Sequence, residues 1–77
     1  SRTDRSSLSA LSDREREVLK LLAEGLTNSR IATTLSIREA TVKAHLTRVY
    51  QVLGVPDRTS AALRARELGL NPSTSSS

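Results

Sequence analysis

The segment from residue 39 to residue 53 carries basic and hydroxyl side chains at spacings that suit binding to an anionic surface. On an α-helix, which turns about 100° per residue, Lys43 lies at one edge of a face, and Arg48 lies beside Thr41 at the other edge. Ammonium and guanidinium groups donate hydrogen bonds to phosphate oxygens. The centre of the face carries small or neutral side chains that leave room for a groove: Ala40, Ala44, Thr47 and Gln51. The alternative at this point is an ordinary amphipathic helix with a hydrated face.

The opposite side of the same segment is apolar, which indicates that it packs on a core. Four aliphatic side chains fall within about 60° of one another when the segment is helical. They are Val42, Leu46, Val49 and Leu53. The segment is therefore predicted to form an amphipathic helix over residues 39–53, which ends at Gly54.

The distribution of charge also favours an anionic partner. The chain of 77 residues has a formal net charge of +4. Residues 30–66 contain seven basic and two acidic side chains, whereas residues 1–29 contain five of each. Positive charge concentrated in one half of a small domain is typical of nucleic-acid binding, although charge alone fits a solvated surface equally well.

The composition argues against several other classes of protein. The chain has no cysteine and one histidine, so it offers neither a disulfide framework nor a thiolate or histidine-rich metal site. It shows no glycine-rich phosphate loop, no nucleophile–base pair and no apolar run near the roughly 18 residues of a membrane span. We therefore expect no enzymatic activity, no metal, no cofactor and no membrane partner.

Capping residues and glycines mark the ends of three further helices. Ser12 and Glu15 form a capping-box pattern at the start of one helix. Thr27 and Asp57 are side-chain caps for two others, and glycines follow the expected ends, as at Gly25. The four expected helices span residues 13–24, 28–34, 39–53 and 58–68.

The two ends of the chain are polar and show no helical period. Residues 1–10 are predicted to be a flexible arm or linker, and residues 71–77 a disordered, serine-rich tail. The structured domain is therefore expected over residues 11–70, with an all-α, four-helix fold.

The second and third expected helices have the spacing of a helix-turn-helix unit. Ala32 is the small residue needed where the two helices cross, Ser36 falls in the turn, and Val42 is the buried aliphatic residue one turn into the second helix. Helical hairpins also match this spacing by chance, so the spacing alone leaves both interpretations open.

Several separated motifs make the chain resemble the LuxR/NarL-type helix-turn-helix domain of bacterial transcription regulators. The motifs follow the family's order across residues 11–70: LSDRE at 11–15, EGLTN at 24–28, IA at 31–32, TVKAH at 41–45, LGV at 53–55 and RT at 58–59. The resemblance implies a tetrahelical C-terminal effector domain. Its third helix is expected to enter the DNA major groove, and its fourth helix is expected to form a dimer contact.

The resemblance also implies roles for individual residues of the third helix. Base contacts fall to Lys43, Ala44 and Thr47, with Ala40 at the rim of the contact. A lysine can donate to guanine O6 or N7, and the methyl groups of alanine and threonine can meet a thymine methyl. The residues placed to meet phosphates are Thr27, Asn28, Thr41 and Arg48.

Two further residues are expected to contact phosphate, although each of them also has a second possible role. Arg38 stands where the family often has a Ser or Thr cap, so the third helix is expected to start less securely and Arg38 to compensate as a phosphate contact. His45 lies at the edge of the apolar stripe, where packing and hydrogen bonding compete with a phosphate contact. Arg58 is a candidate for an interhelical salt bridge with Glu15 or Glu17.

The fourth helix is expected to carry the contact between two copies of the chain. Ala61 and Ala65 share one face with Leu68 and are predicted to pack inward. Leu63 falls elsewhere on the helix and is therefore a candidate dimer residue. It is joined in this expected dimer contact by Thr59 and Arg66.

The expected function is sequence-specific binding of duplex DNA by the effector domain of a bacterial, cytoplasmic transcription regulator, as a homodimer on two half-sites. The resemblance also implies that the chain is a fragment, and the missing N-terminal domain is expected to be a receiver or a ligand-sensing domain. Region 4 of sigma factors is one alternative, since it shares the LSDREREVL opening, but it lacks TVKAH and the fourth helix. A protein-interaction adapter of the same fold is another, which salt-dependent binding to duplex DNA would separate from the DNA-binding interpretations.

Overall fold

Four helices make up most of the part of the chain that the computed structural model describes, residues 9–70. They are α1 (Asp13–Ala23), α2 (Asn28–Leu35), α3 (Glu39–Leu53) and α4 (Arg58–Glu67). The bounds confirm the four expected helices to within one residue at each end. No strand occurs between residues 9 and 70, and the all-α fold is confirmed.

The predicted arm and tail fall largely beyond this range. Residues 1–8 of the arm and the whole tail, residues 71–77, lie outside the described residues. At the start of the described range, Ser9 and Ala10 are helical and Leu11 is buried. No helix in residues 9–70 has the length and apolar character needed to cross a bilayer.

Side chains hold the starts of three helices. Ser12 Oγ accepts a hydrogen bond from the Glu15 N–H at 3.1 Å, and the Glu15 carboxylate accepts one from the Ser12 N–H at 2.9 Å, which completes the predicted capping box. Thr27 Oγ1 and Asp57 Oδ1 each accept from the N–H three residues along the chain, at 3.2 and 2.8 Å. Arg38, at the start of α3, makes no side-chain cap bond, as its residue type predicts.

The helices all end in a turn that needs one residue in the left-handed backbone conformation. After α2, the Ser36 N–H bonds to the Thr33 carbonyl at 3.2 Å and the Ile37 N–H to the Ala32 carbonyl at 2.9 Å. Glycine fills the equivalent position after the other three helices, whereas Ser36 itself has φ 58° and ψ 42°. The expected helix-turn-helix connection at Ser36 is confirmed.

The core lies where α1 packs against α3 and α4, and α2 covers it by packing against α3 and α1. Val42 and Val49 of α3 have no exposed surface, and neither do Ala61 and Ala65 of α4, whose small side chains let the helices approach closely. Ala32 is buried, as predicted. The buried residues are Leu11, Val18, Leu19, Leu22, Ala23, Ile31, Ala32, Val42, Leu46, Val49, Leu53, Ala61 and Ala65. The predicted apolar stripe of α3 therefore fixes which of its faces remains outside.

Candidate nucleic-acid interface

The outward face of α3 is exposed along its length. Its centre and edges consist of Ala40, Thr41, Lys43, Ala44, Thr47, Arg48 and Gln51, and all seven are exposed. Their exposure follows from the burial of Val42, Leu46 and Val49, because a helix that buries one stripe must present the opposite stripe to solvent. This set of seven residues is called the outward face below.

The cations of the outward face are available to an external anion. No ion pair within residues 9–70 engages Lys43 or Arg48, and the same holds for Arg38 just before α3. Three arginines on other helices do pair with an acid of their own helix: Arg14, Arg16 and Arg64. The basic side chains around α3 thus keep their hydrogen-bond donors for a partner.

One hydroxyl of the outward face is used within the helix. Thr47 Oγ1 donates to the Lys43 carbonyl at 3.0 Å. Because this bond engages the hydroxyl hydrogen, the methyl group of Thr47 is the part of the side chain best suited to an apolar contact with a base. The centre of the outward face is therefore a surface of methyl groups, with Ala40 and Ala44 beside it.

The first turn of α3 leaves backbone donors unpaired within the helix. The first intrahelical bond joins the Val42 N–H to the Arg38 carbonyl at 3.1 Å, and no side chain of the cap residue reaches back. The N–H groups of Glu39, Ala40 and Thr41 therefore have no intrahelical acceptor. This helix end carries a partial positive charge that favours an anion.

The start of α2 has a similar arrangement with one addition. Thr27 Oγ1 accepts from the Arg30 N–H, which leaves the N–H groups of Asn28 and Ser29 without an intrahelical acceptor. Thr27 is exposed and Asn28 is half-buried. The addition is Arg58 of α4, whose Nη1 donates to Asn28 Oδ1 at 2.8 Å.

This contact corrects the expected salt bridge of Arg58, which was wrong. Arg58 donates to Asn28 Oδ1 and to the Leu26 carbonyl, and it reaches neither Glu15 nor Glu17. The two acids are already engaged locally, Glu15 in the capping box and Glu17 with an arginine one turn away. No local pattern indicates the true partner, because 30 residues separate Arg58 from Asn28.

His45 is half-buried on the flank of α3, between the buried stripe and the outward face. No hydrogen bond to its ring is present within residues 9–70. Its position agrees with the expected edge of the stripe, and its phosphate contact stays a prediction. Tyr50 is also half-buried and packs against the core, as expected.

A separate exposed surface lies on α4. Leu63 is 56% exposed and is the large hydrophobic residue that residues 9–70 leave most open to solvent. Thr59 and Arg66 are exposed as well, and they follow the spacing of one helix face with Leu63. Ala61 and Ala65 point inward and Leu68 is half-buried, which confirms the predicted inner face of this helix.

The cap of α4 is the one titratable group in the described range with a clear shift of its pKa. The Ser60 backbone N–H donates to the Asp57 carboxylate, and this bond, with a second from the Ser60 side chain, lowers the pKa of Asp57 below its ordinary value of 3.8. A hydrogen bond to the charged form favours that form. Asp57 is therefore ionised throughout the neutral range and holds the start of α4.

Metal-binding groups do not cluster in the described range. No three His, Cys, Asp or Glu side chains of residues 9–70 are grouped so as to hold a metal ion. A shallow groove of about 200 Å³ runs between α1 and α2 and mixes both charges with apolar side chains. It is lined by Glu17, Lys20, Leu21, Glu24, Thr34 and Leu35, none of which belongs to the outward face.

Comparison with known proteins identifies relatives among transcription regulators. Over 61 residues the chain is 49% identical to the "DNA-binding transcriptional activator DevR/DosR" of Mycobacterium tuberculosis, covering 79% of this chain and 28% of that protein. It is 39% identical over 61 residues to the nitrate/nitrite response regulator protein NarL of Escherichia coli, with the same coverage. The chain thus spans less than a third of the length of these relatives.

Two solved structures match the fold and the sequence together. The response regulator ChrA of a heme-sensing two-component system superposes with a TM-score of 0.73 and 51% identity, over 79% of this chain and 30% of that one. The transcription factor GerE superposes with a TM-score of 0.70 and 38% identity, over 79% of this chain and 91% of that one. The match therefore takes in most of the GerE chain but less than a third of the ChrA chain.

The family profile described as "Bacterial regulatory proteins, luxR family" matches residues 9–74, which is most of the chain. Its members are DNA-binding regulators of transcription rather than enzymes. The chain therefore belongs to the luxR family, as a helix-turn-helix DNA-binding domain of the LuxR/NarL type.

Proposed function

We propose that this domain binds duplex DNA sequence-specifically by inserting α3 into the major groove, as a dimer on two half-sites. The observation that carries the proposal is the outward face, which is exposed, small at its centre and flanked by Lys43 and Arg48 without ion-pair partners in residues 9–70. A major groove admits one α-helix, and small central side chains let the helix axis approach the bases.

Base recognition in this proposal depends mainly on Lys43. Its ammonium group donates to guanine O6 or N7, which are acceptors in the major groove. Ala44 and the methyl group of Thr47 contact thymine methyl groups, and Ala40 lies at the rim. One long donor among small side chains makes few direct base contacts per monomer, so two half-sites and the shape of the DNA add to the specificity.

Phosphate contacts surround this base-reading centre. The proposed contacts are Thr27, Asn28, Arg38, Thr41, Arg48 and His45. The first turns of α2 and α3 support the proposal, because both present backbone N–H groups and a positive helix end to an anion. These contacts supply affinity and orientation on the duplex, whereas the base contacts supply sequence choice.

The proposed dimer forms through α4. Leu63 supplies the apolar contact, with Thr59 and Arg66 on the same exposed face. One helix buries much less than the roughly 1,200 Å² typical of a stable protein–protein interface, so this contact is weak in solution. Adjacent half-sites strengthen it by holding two copies side by side, about one helical turn apart.

The whole protein from which such a domain comes is proposed to be a regulator with an N-terminal receiver or ligand-sensing domain in the bacterial cytoplasm. The relatives support this, since this chain covers only 28% of DevR/DosR and 30% of the response regulator ChrA. In this proposal the regulatory domain controls dimerisation and the exposure of α3.

The test is fluorescence anisotropy of the 77-residue chain against a pool of short random-sequence duplexes across a salt series, with sequencing of the retained DNA. We expect salt-dependent binding and an enriched motif with two-fold symmetry. An enriched motif without symmetry would refute the dimer. An absence of binding even at low salt would refute DNA binding and favour the adapter alternative.

A further inference from the structure

We propose that Arg58 is a positioning residue for DNA binding, which holds the Asn28 carboxamide so that its two N–H donors face the phosphate backbone. This inference rests on the proposed phosphate contact of Asn28 and extends the interface to a residue of α4. Arg58 itself has no part in the outward face.

Arg58 makes two hydrogen bonds, one to the first residue of α2 and one to the turn before that helix. Arg58 is the first residue of α4 and is half-buried. Its Nη1 donates to Asn28 Oδ1 at 2.8 Å, and its Nη2 donates to the Leu26 carbonyl. Because the two acceptors lie two residues apart in the chain, the planar guanidinium cannot turn without losing one of them.

The chemistry of the guanidinium determines which end of the Asn28 amide it binds. A guanidinium has five donors and no acceptor, so only the amide oxygen can face it. The Nδ2 donors of Asn28 must therefore point away from Arg58. A free asparagine could equally turn its oxygen toward a phosphate, which would repel it, and Arg58 removes that orientation.

The surroundings of Asn28 make this orientation useful. Asn28 and Ser29 are the first two residues of α2, and their N–H groups have no intrahelical acceptor. They lie at the positive end of the helix. The Nδ2 donors add to this set, and the positive charge of Arg58 lies behind it. A cation on the amide oxygen also polarises the carboxamide and strengthens its N–H groups as donors.

The experiment is a double-mutant cycle measured on DNA affinity. The 77-residue chain is compared with Arg58→Lys, with Asn28→Ala and with the double variant, at a temperature where circular dichroism shows all four folded. The probe is a fluorescein-labelled duplex of mixed sequence, because phosphate contacts do not depend on sequence. Lysine keeps the charge of Arg58, but its single ammonium group cannot reproduce the fork that holds both acceptors.

We expect Arg58→Lys to weaken binding roughly fivefold when Asn28 is present, which is the effect of one well-oriented hydrogen bond. In the Asn28→Ala background the same change is expected to have no further effect. The dependence of affinity on salt stays the same in all four proteins, because none of the changes alters the net charge. Arg14→Lys on α1, which also keeps its charge, is the matched control and leaves affinity unchanged.

Three outcomes separate this inference from the proposed function. Equal weakening by Arg58→Lys in both backgrounds would overturn the inference, because Arg58 would then act through something other than Asn28. An Arg58→Lys protein that binds like the wild type, while Asn28→Ala weakens binding, would overturn the inference and leave the proposed function intact. A wild-type chain that shows no salt-dependent binding to the duplex would overturn the proposed function itself.

A second variant keeps the inference testable if Arg58→Lys does not fold. Asn28→Asp retains an oxygen for Arg58 and so keeps the hold, but it removes the Nδ2 donors and adds a negative charge. We expect it to remain folded and to bind the duplex more weakly than Asn28→Ala does. Binding as tight as that of the wild type would overturn the inference.

Discussion

The two faces of α3 are built from neighbouring residues under opposite constraints. Val42, Leu46 and Val49 are buried, whereas Lys43 and Ala44, one and two positions along from Val42, are exposed. A turn of about 100° per residue is enough to separate the positions that hold the fold from those proposed to read DNA. Stability and recognition should therefore respond to different substitutions on the same helix.

The largest effect is expected on the buried face. Leu46→Ala removes a side chain that is 4% exposed and leaves a cavity, which costs about 2–5 kcal/mol. A chain of this size has a total stability of roughly 4–12 kcal/mol, so a large share is lost. Urea unfolding followed by circular dichroism measures the change. Gln51→Ala on the outward face is the control, expected within about 0.5 kcal/mol of wild type, and similar losses for the two variants would contradict the separation of the faces.

The next largest effect is expected on the outward face and in binding alone. Lys43→Ala should cost about 1–3 kcal/mol on the preferred site and relax base preference at one position, because the lysine donates to a guanine edge. Its unfolding free energy should stay within about 0.5 kcal/mol of wild type. Affinities for the enriched duplex and for single-base variants of it measure this. An equal loss on every sequence would show that Lys43 contacts only the backbone.

Arg48→Ala should instead weaken all sequences alike. The guanidinium at the edge of the outward face is proposed to neutralise a phosphate, which carries no sequence information. The slope of log affinity against log salt should fall by about one. The same salt series on two unrelated duplexes checks this, and a loss confined to one of them would make Arg48 a base contact.

A smaller effect is expected at the turn that sets α3 against α2. Ser36 has φ 58°, a conformation that costs a residue with a side chain roughly 1–2 kcal/mol. Glycine removes that cost but loses more entropy on folding, so Ser36→Gly should stabilise the domain by about 0.5–1 kcal/mol. Thermal unfolding measures the gain. Ser36→Ala, which keeps the strain, should give no gain, and destabilisation by glycine would contradict this explanation of the turn.

The smallest effect on stability is expected at the start of α4. This helix has a side-chain cap, Asp57, whereas α3 has none. The pKa of Asp57 is lower in the folded chain than its ordinary value of 3.8, so its contribution to stability is present above that value and is lost as pH falls through the folded pKa. Asp57→Asn keeps a capping oxygen without the charge. When the pH is lowered from neutral to below 3.8, we expect the melting temperature of this variant to fall less than that of the wild type. Parallel pH dependence of the two proteins would exclude Asp57 as a contributor.

Much of this fold could be predicted because its signals are local. Ser12 with Glu15 started α1 as expected, and the apolar spacing from Val42 to Leu53 gave the buried stripe of α3. Hydrogen-bond caps and helical periodicity act over three or four residues, so they can be recognised in a single sequence. The outward face followed from the same stripe by exclusion, and the exposure of Leu63 followed from the inward face of α4.

The partner of Arg58 was decided only by the tertiary structure. Sequence alone left Glu15 and Glu17 as candidates, yet Glu15 is engaged by the cap residue of α1 and Glu17 by an arginine of the same helix. The packing of α4 against α1 brings Arg58 to the start of α2, where Asn28 Oδ1 and the Leu26 carbonyl accept its two hydrogen bonds. Local hydrogen bonds and periodicity thus determined the helices and their faces from sequence, whereas a contact across 30 residues depends on how the helices pack, because only packing brings such distant groups within hydrogen-bond distance.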